Sequence, residues 1–266
     1  MAGQGMRAWF RAAASVLALV SATPALADVL VLVHGFASHP ATWQQSGVVQ
    51  GLARHGWSAA SVGGERTLYL AHLTSEAPLA VQANQLNAQL AAIRQAHPDD
   101  PKLVVVGHSA GGVVARMALV QGNPHGVSRL VTIASPHLGS PRAAEGLDVL
   151  DSKPFFCPGP GISMLKSFFG GSDYDYLDRA RPAMVDLLPA GSGNALDWLN
   201  GQPHPDIRYD AVLRQSRGGV GDAWVPAHSQ DMNQVPALRG RATVWLSQGD
   251  HWLNPADAEV IGRILH

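Results

Sequence analysis

Cysteine is all but missing from this sequence: Cys157 stands alone in 266 residues. That excludes an intramolecular disulfide and any cysteine-built metal cluster, and a lone thiol of this kind is expected to be packed rather than reactive. Neither HExxH nor CxxC occurs, so no zinc site is expected. Charge of one sign is lacking too. The 19 Lys and Arg against 20 Asp and Glu leave a formal net charge of −1, which gives nucleic acid nothing to hold. Long hydrophobic runs are also absent. The longest candidate, "AAASVLALVSA" (Ala12–Ala22), falls short of the roughly 20 residues that span a bilayer.

That short run belongs to a recognisable segment. Arg7 and Arg11 precede it and "PALA" (Pro24–Ala27) follows, the order of a secretory signal peptide over residues 1–27 with cleavage after Ala27. The expectation is an exported protein, periplasmic or secreted, with residues 28–266 as one domain and no transmembrane segment after cleavage. Losing the two arginines takes the formal charge from −1 to −3. With 46% hydrophobic and 15% charged residues, the chain has ample material for a core, which must carry stability without disulfide staples.

Apolar runs of strand length recur at 28–35, 56–63, 102–108, 128–135, 207–215 and 241–248. Several are near-continuously apolar, as in strands covered on both faces of a parallel sheet. Helical patterns lie between them. The clearest is residues 78–97, where Leu79, Leu86, Leu90 and Ile93 form one stripe. The alternation predicts an α/β fold with a mostly parallel sheet of about six strands flanked by helices. The rhythm breaks from His137 to about Gly201, where glycine, proline and aromatic residues crowd together. Residues 142–201 are expected to form a part-helical cap over the carboxyl ends of the strands.

"KLVVVGHSAGGVVARMAL" (Lys102–Leu119) carries the chemistry. Gly107-His108-Ser109-Ala110-Gly111 is a G-x-S-x-G sequence between a strand and a helix, the context in which such a serine is a nucleophile on a strained turn. Two backbone donors are needed for a tetrahedral intermediate: the N–H of Ala110, and that of Phe36 in the "HGF" turn after the first strand.

With these motifs in hand, the chain resembles the α/β-hydrolases of the secreted bacterial lipase and esterase type. The resemblance is carried by "VHGF", "GHSAGG", "TIASPHLGSP", "DLLPAGSGNALDWLN", "GDAWVP" and "GDHWLNP", in the family's order. It implies an α/β-hydrolase fold lacking the first two strands of the full form, and a Ser, acid, His order along the chain. His251, after the last strand, is the matching histidine, against His125, His137, His204, His228 and His266. Asp222 matches the family's Asp-x-x-Val-Pro pattern, with Asp210, Asp231 and Asp250 as rivals. The resemblance implies a carboxylic ester hydrolase acting through Ser109, Asp222 and His251 with no cofactor. The substrate would be a small-molecule or lipid ester with an apolar acyl group, met through transient contact with a lipid interface. A thioesterase or amidase would use the same three residues, and a non-catalytic binding protein could share the fold. Related lipases often hold calcium through an acid two residues beyond the histidine; here Trp252 and Leu253 follow His251, so no metal is expected.

Overall fold

The computed structural model describes residues 28–60, 65–151, 174–191, 193–216 and 218–266. The expected signal segment 1–27 and residues 152–173 of the expected cap, Cys157 included, lie outside them. The strands are β1 (Asp28–Val33), β2 (Ser58–Ala59), β3 (Arg66–Leu70), β4 (Lys102–His108), β5 (Val127–Ile133), β6 (Arg208–Ser216), β7 (Gly219–Val220) and β8 (Ala242–Gln248). They form one sheet in the order β2-β3-β1-β4-β5-β6, with β8 alongside β6 and β7 paired to the end of β6. Every pairing is parallel except β6 with β7.

Period-two alternation sends the apolar run of β1 to two cores. Val29, Val31 and Val33 join Leu86, Leu90, Val113 and Met117 on one face; Leu30 and Leu32 join Leu52, Ile261 and Ile264 on the other. Helices α1 (Thr42–Gln45), α2 (Val48–Arg54), α3 (Leu79–Ala96) and α4 (Ala110–Val120) precede β5. In α3 the predicted stripe Leu79, Leu86, Leu90 and Ile93 is buried. No helix among the described residues is long and apolar enough to cross a membrane.

Among the described residues the sheet has eight strands, where about six were expected. Of the run at 56–63, Ser58–Ala59 form β2 and Trp57 is drawn into the core beside α2, while residues 61–63 lie outside the described residues. Arg66–Leu70 went unforeseen: only Thr67 and Leu68 are buried, too short a stretch to show a period. Between β5 and β6 the described residues form α5 (Pro141–Asp151), α6 (Tyr174–Arg179), α7 (Arg181–Asp186) and α8 (Ala195–Gly201). Leu147, Leu150, Leu177 and Met184 make a small cluster there, with Phe36 and Tyr176 packed against it.

α4 carries a fully buried cation. Arg116 donates to His137 Nδ1 at 3.2 Å and to Asn200 Oδ1 of α8, both neutral partners, and burial lowers its pKa to about 9. Burial first and the Arg116 charge second hold His137 well below the usual histidine range, and the same two causes bring His204 to about 4. In the unfolded chain these imidazoles titrate near pH ~6.5. Below that pH the unfolded state binds protons that the folded state refuses, so their stabilisation is whole above about 6.5 and is lost as the pH falls toward 4. Urea midpoints measured between pH 7 and 4 should decline over this window, and His204→Gln should flatten part of the decline. A midpoint independent of pH there would contradict the account.

Candidate active site

β4 runs into α4 through a single residue. Ser109 has φ 51° and ψ −128°, a conformation that L-residues rarely hold, and its N–H donates to Ile133 O of β5 at 2.8 Å. The turn is tight enough that a Cβ on Gly107 would fall 2.4 Å from Gly112 Cα, so only glycine fits before it. The end of β1 presses on the same elbow: a Cβ on Gly35 would lie 2.9 Å from Ser109 Cβ. The HGF turn with Phe36 therefore lies beside the serine, and Ala110 is the first residue of α4.

His251 Nε2 stands 2.9 Å from Ser109 Oγ, and its Nδ1 stands 3.1 Å from Asp222 Oδ2. Both side chains are nearly inaccessible, 7% exposed for His251 and 1% for Asp222. The second oxygen, Oδ1, accepts the N–H groups of Trp224 and Val225, each at 2.8 Å, and Gln230 Nε2 donates to Oδ2 at 2.9 Å. Burial by itself would raise the Asp222 pKa. The hydrogen bond and charge of His251, with the two backbone donors, outweigh it and hold the carboxyl below the ordinary aspartate range. An ionised Asp222 accepting from Nδ1–H leaves the Nε2 lone pair facing the serine hydroxyl.

The loop bearing His251 is held from beneath. His108 Nε2 donates to His251 O at 2.8 Å, and Arg214 donates to Trp252 O at 3.0 Å. Burial, then the neighbouring His251 and Arg214, push His108 well below the histidine range, so it acts as a neutral donor. Arg214 and Asp257 form an ion pair of which no part is exposed. Asp257 also closes the capping box with Asn254 at the start of α9 (Pro255–Leu265). Isolated charges are costly in such a place, but here each finds a counter-charge and further hydrogen bonds, and the reward is a fixed histidine loop. Above it, the Trp224 ring stacks on the His251 ring at 5.7 Å and 29°, and Trp252, half exposed, meets it edge-on at 77°.

The rivals are engaged elsewhere. Asp210 pairs with Arg129 at 3.5 Å and accepts from Trp245 Nε1; Asp231 caps a short helical turn through Asn233 N–H; Asp250 is exposed. His137 contacts Thr132 and Arg116, and His204 contacts Gln202 O. His125 is half-buried, and His228 and His266 are exposed. Of the sequence-predicted residues, the structure brings together Ser109, His251 and Asp222. It also adds His108, Arg214, Gln230, Trp224 and Asp257, which sequence reasoning passed over. Two of these left signals: an arginine inside the apolar strand "DAVLRQ" needs a buried partner, and Asn254-Pro-Ala-Asp257 spells a capping box.

Residues 63–150 match the family described as PGAP1-like alpha/beta domain. Over 195 residues the chain is 39% identical to the "Putative GPI inositol-deacylase C" of Yarrowia lipolytica, an alignment that takes in 69% of this chain and 21% of that protein. The chain thus spans about a fifth of that relative's length. Among solved structures, Bacillus licheniformis lipase BlEst2 in its mature form aligns with a TM-score of 0.61 and 18% identity, over 91% of each chain. The peroxisomal alpha-beta-hydrolase Lpx1 of Saccharomyces cerevisiae aligns at 0.58 and 15% identity, over 91% of this chain and 77% of that one. Likenesses at this level of identity are likenesses of fold.

Proposed function

We propose that this chain, a member of the α/β-hydrolase superfamily, hydrolyses carboxylic esters through an acyl-enzyme on Ser109. One observation carries the reading: a serine on a strained elbow, bonded to a histidine that a buried carboxylate holds in one tautomer. A neutral hydroxyl is a weak nucleophile until a base takes its proton. In the proposed reaction Ser109 Oγ attacks the acyl carbon as His251 Nε2 accepts the proton, and the Ala110 and Phe36 N–H groups receive the negative charge on the carbonyl oxygen. The alcohol departs with the proton from His251. Water then repeats the attack, returning the acid and free serine. Asp222 keeps the imidazole oriented and stabilises its charged form.

The substrate is read as an ester of an apolar acyl group. The name of the Yarrowia relative describes removal of an acyl group from inositol, and the apolar cluster around Phe36 supports an acyl chain beside the elbow. The exposed Trp252 at the mouth of the site supports transient contact with a lipid surface. Export with cleavage after Ala27 is part of the same proposal and rests on the order of residues 1–27. A series of nitrophenyl esters from short to long acyl chains, with a fluorophosphonate probe and mass spectrometry, tests the reading. Turnover with one label per chain at Ser109 is expected. No turnover across the series together with no label, or a label at another serine, would reject it.

A further inference from the structure

The turn proposed to supply the second oxyanion donor is not held by β1 alone. Ala37, directly after Phe36, has φ 50°, in the left-handed region where a side chain crowds the backbone and glycine is favoured. Such a conformation persists only where its surroundings fix it. The group that reaches the turn comes from α6, more than a hundred residues along the chain. The Tyr176 ring lies 6.5 Å from the Phe36 ring, tilted by 57°. The Tyr176 hydroxyl is 3.2 Å from Ser75 Oγ, which fixes the ring against Phe36. Ser75 is itself buried and tethered, with Gln82 Nε2 donating to Ser75 O and to Ala77 O. A second attachment seats this part of the insertion: Asp186, the last residue of α7, accepts the Leu79 N–H at 2.8 Å at the start of α3. That helix has no side-chain cap of its own at Pro78.

We propose that Tyr176 is a positioning residue for the oxyanion turn: its ring, held against Phe36 by the bond of its hydroxyl to Ser75, keeps the strained turn at Ala37 in place so that the Phe36 N–H stays aimed at the carbonyl oxygen of the substrate. The inserted helices thereby contribute to chemistry as well as to enclosing the acyl chain. The kinetic part of this inference rests on the ester-hydrolase reading; the conformational part does not.

Tyr176→Phe removes the oxygen and keeps the ring. Deleting an oxyanion donor outright costs about 10²–10³ in kcat, so a donor left present but loosened should cost less, about 10–100-fold. KM for a short-chain nitrophenyl ester should stay within about twofold, because the ground-state carbonyl gains little from the hole. Affinity for a trifluoromethyl ketone should fall in parallel with kcat, and hydrogen exchange at the Phe36 and Ala37 amides should quicken with no change in Tm. Ser75→Ala, which frees the hydroxyl without touching the insertion, should move the same readouts in the same direction. If Tyr176→Phe fails to fold, Ser75→Ala decides alone. Wild-type kcat together with unchanged amide exchange would overturn the proposal, as would a loss of kcat matched by a lower Tm and a raised KM. Should the native chain hydrolyse no ester and take no label, the functional reading fails on its own. Amide exchange at residues 36–37 would then still decide whether Tyr176 holds the turn.

Discussion

Ser109→Ala should lower kcat for ester hydrolysis by about 10⁶-fold, the loss seen when a serine nucleophile is removed from a working triad. The residue sits between two attachments that do not involve its hydroxyl. Its N–H is bonded to Ile133 O, and its φ of 51° is imposed by the junction of β4 and α4. Alanine inherits both, so Tm should stay within a few degrees of the native value. What goes is the single atom 2.9 Å from His251 Nε2. Any residual rate reflects the oxyanion donors and binding, and the fluorophosphonate label must vanish with the activity. A variant that keeps its activity would place the chemistry on another residue.

Asp222→Asn should cost about 10⁴-fold in kcat with little change in Tm. The reason is visible in the hydrogen bonds around the carboxylate. Oδ1 takes two backbone N–H groups, from Trp224 and Val225, and only an oxygen can fill that position. An asparagine must therefore turn its NH₂ group toward His251 Nδ1, which then has to accept rather than donate. The ring proton moves to Nε2, and the nitrogen facing Ser109 no longer accepts the hydroxyl proton. The Gln230 donor, 2.9 Å from Oδ2, would at the same time meet another donor. By contrast, Asp210→Asn, Asp231→Asn and Asp250→Asn should stay within a few-fold of native kcat when folded, since none touches the imidazole. A larger loss at Asp231 or Asp250 than at Asp222 would mean that the wrong acid has been named.

The elbow, the HGF turn and the two late loops were legible in the sequence because each is local. Glycines two residues either side of Ser109 announce a close approach of backbone, and a histidine just after the final apolar run sits where β8 must end. The supporting groups were not legible, for a different physical reason. Arg214 and Asp257 lie 43 positions apart and His108 and His251 lie 143 apart, so nothing in either neighbourhood states the pairing. "DAVLRQ" says only that a buried guanidinium must find an acid, not which one. β3 escaped because five residues with two buried side chains leave no period to read. Tyr176 stood out only as one of several aromatics in the insertion. Its significance arises only when α6 is brought against Ser75 and Phe36.

Asp186 has a consequence for how this protein can be remodelled. Grafting the insertion between β5 and β6 from one relative onto another is an attractive route to new acyl selectivity, and it treats the insertion as a detachable module. Here the boundary does not fall cleanly. The first amide of the 18-residue helix α3 is satisfied by a carboxylate from the insertion, across 107 positions of sequence. A chimaera that exchanges the insertion without a matching acid leaves that amide facing a new neighbour with nothing to accept it. Transplants should therefore carry Asp186 with them, because a capping side chain at position 78 would reach the second or third amide of the helix and leave the first one unanswered.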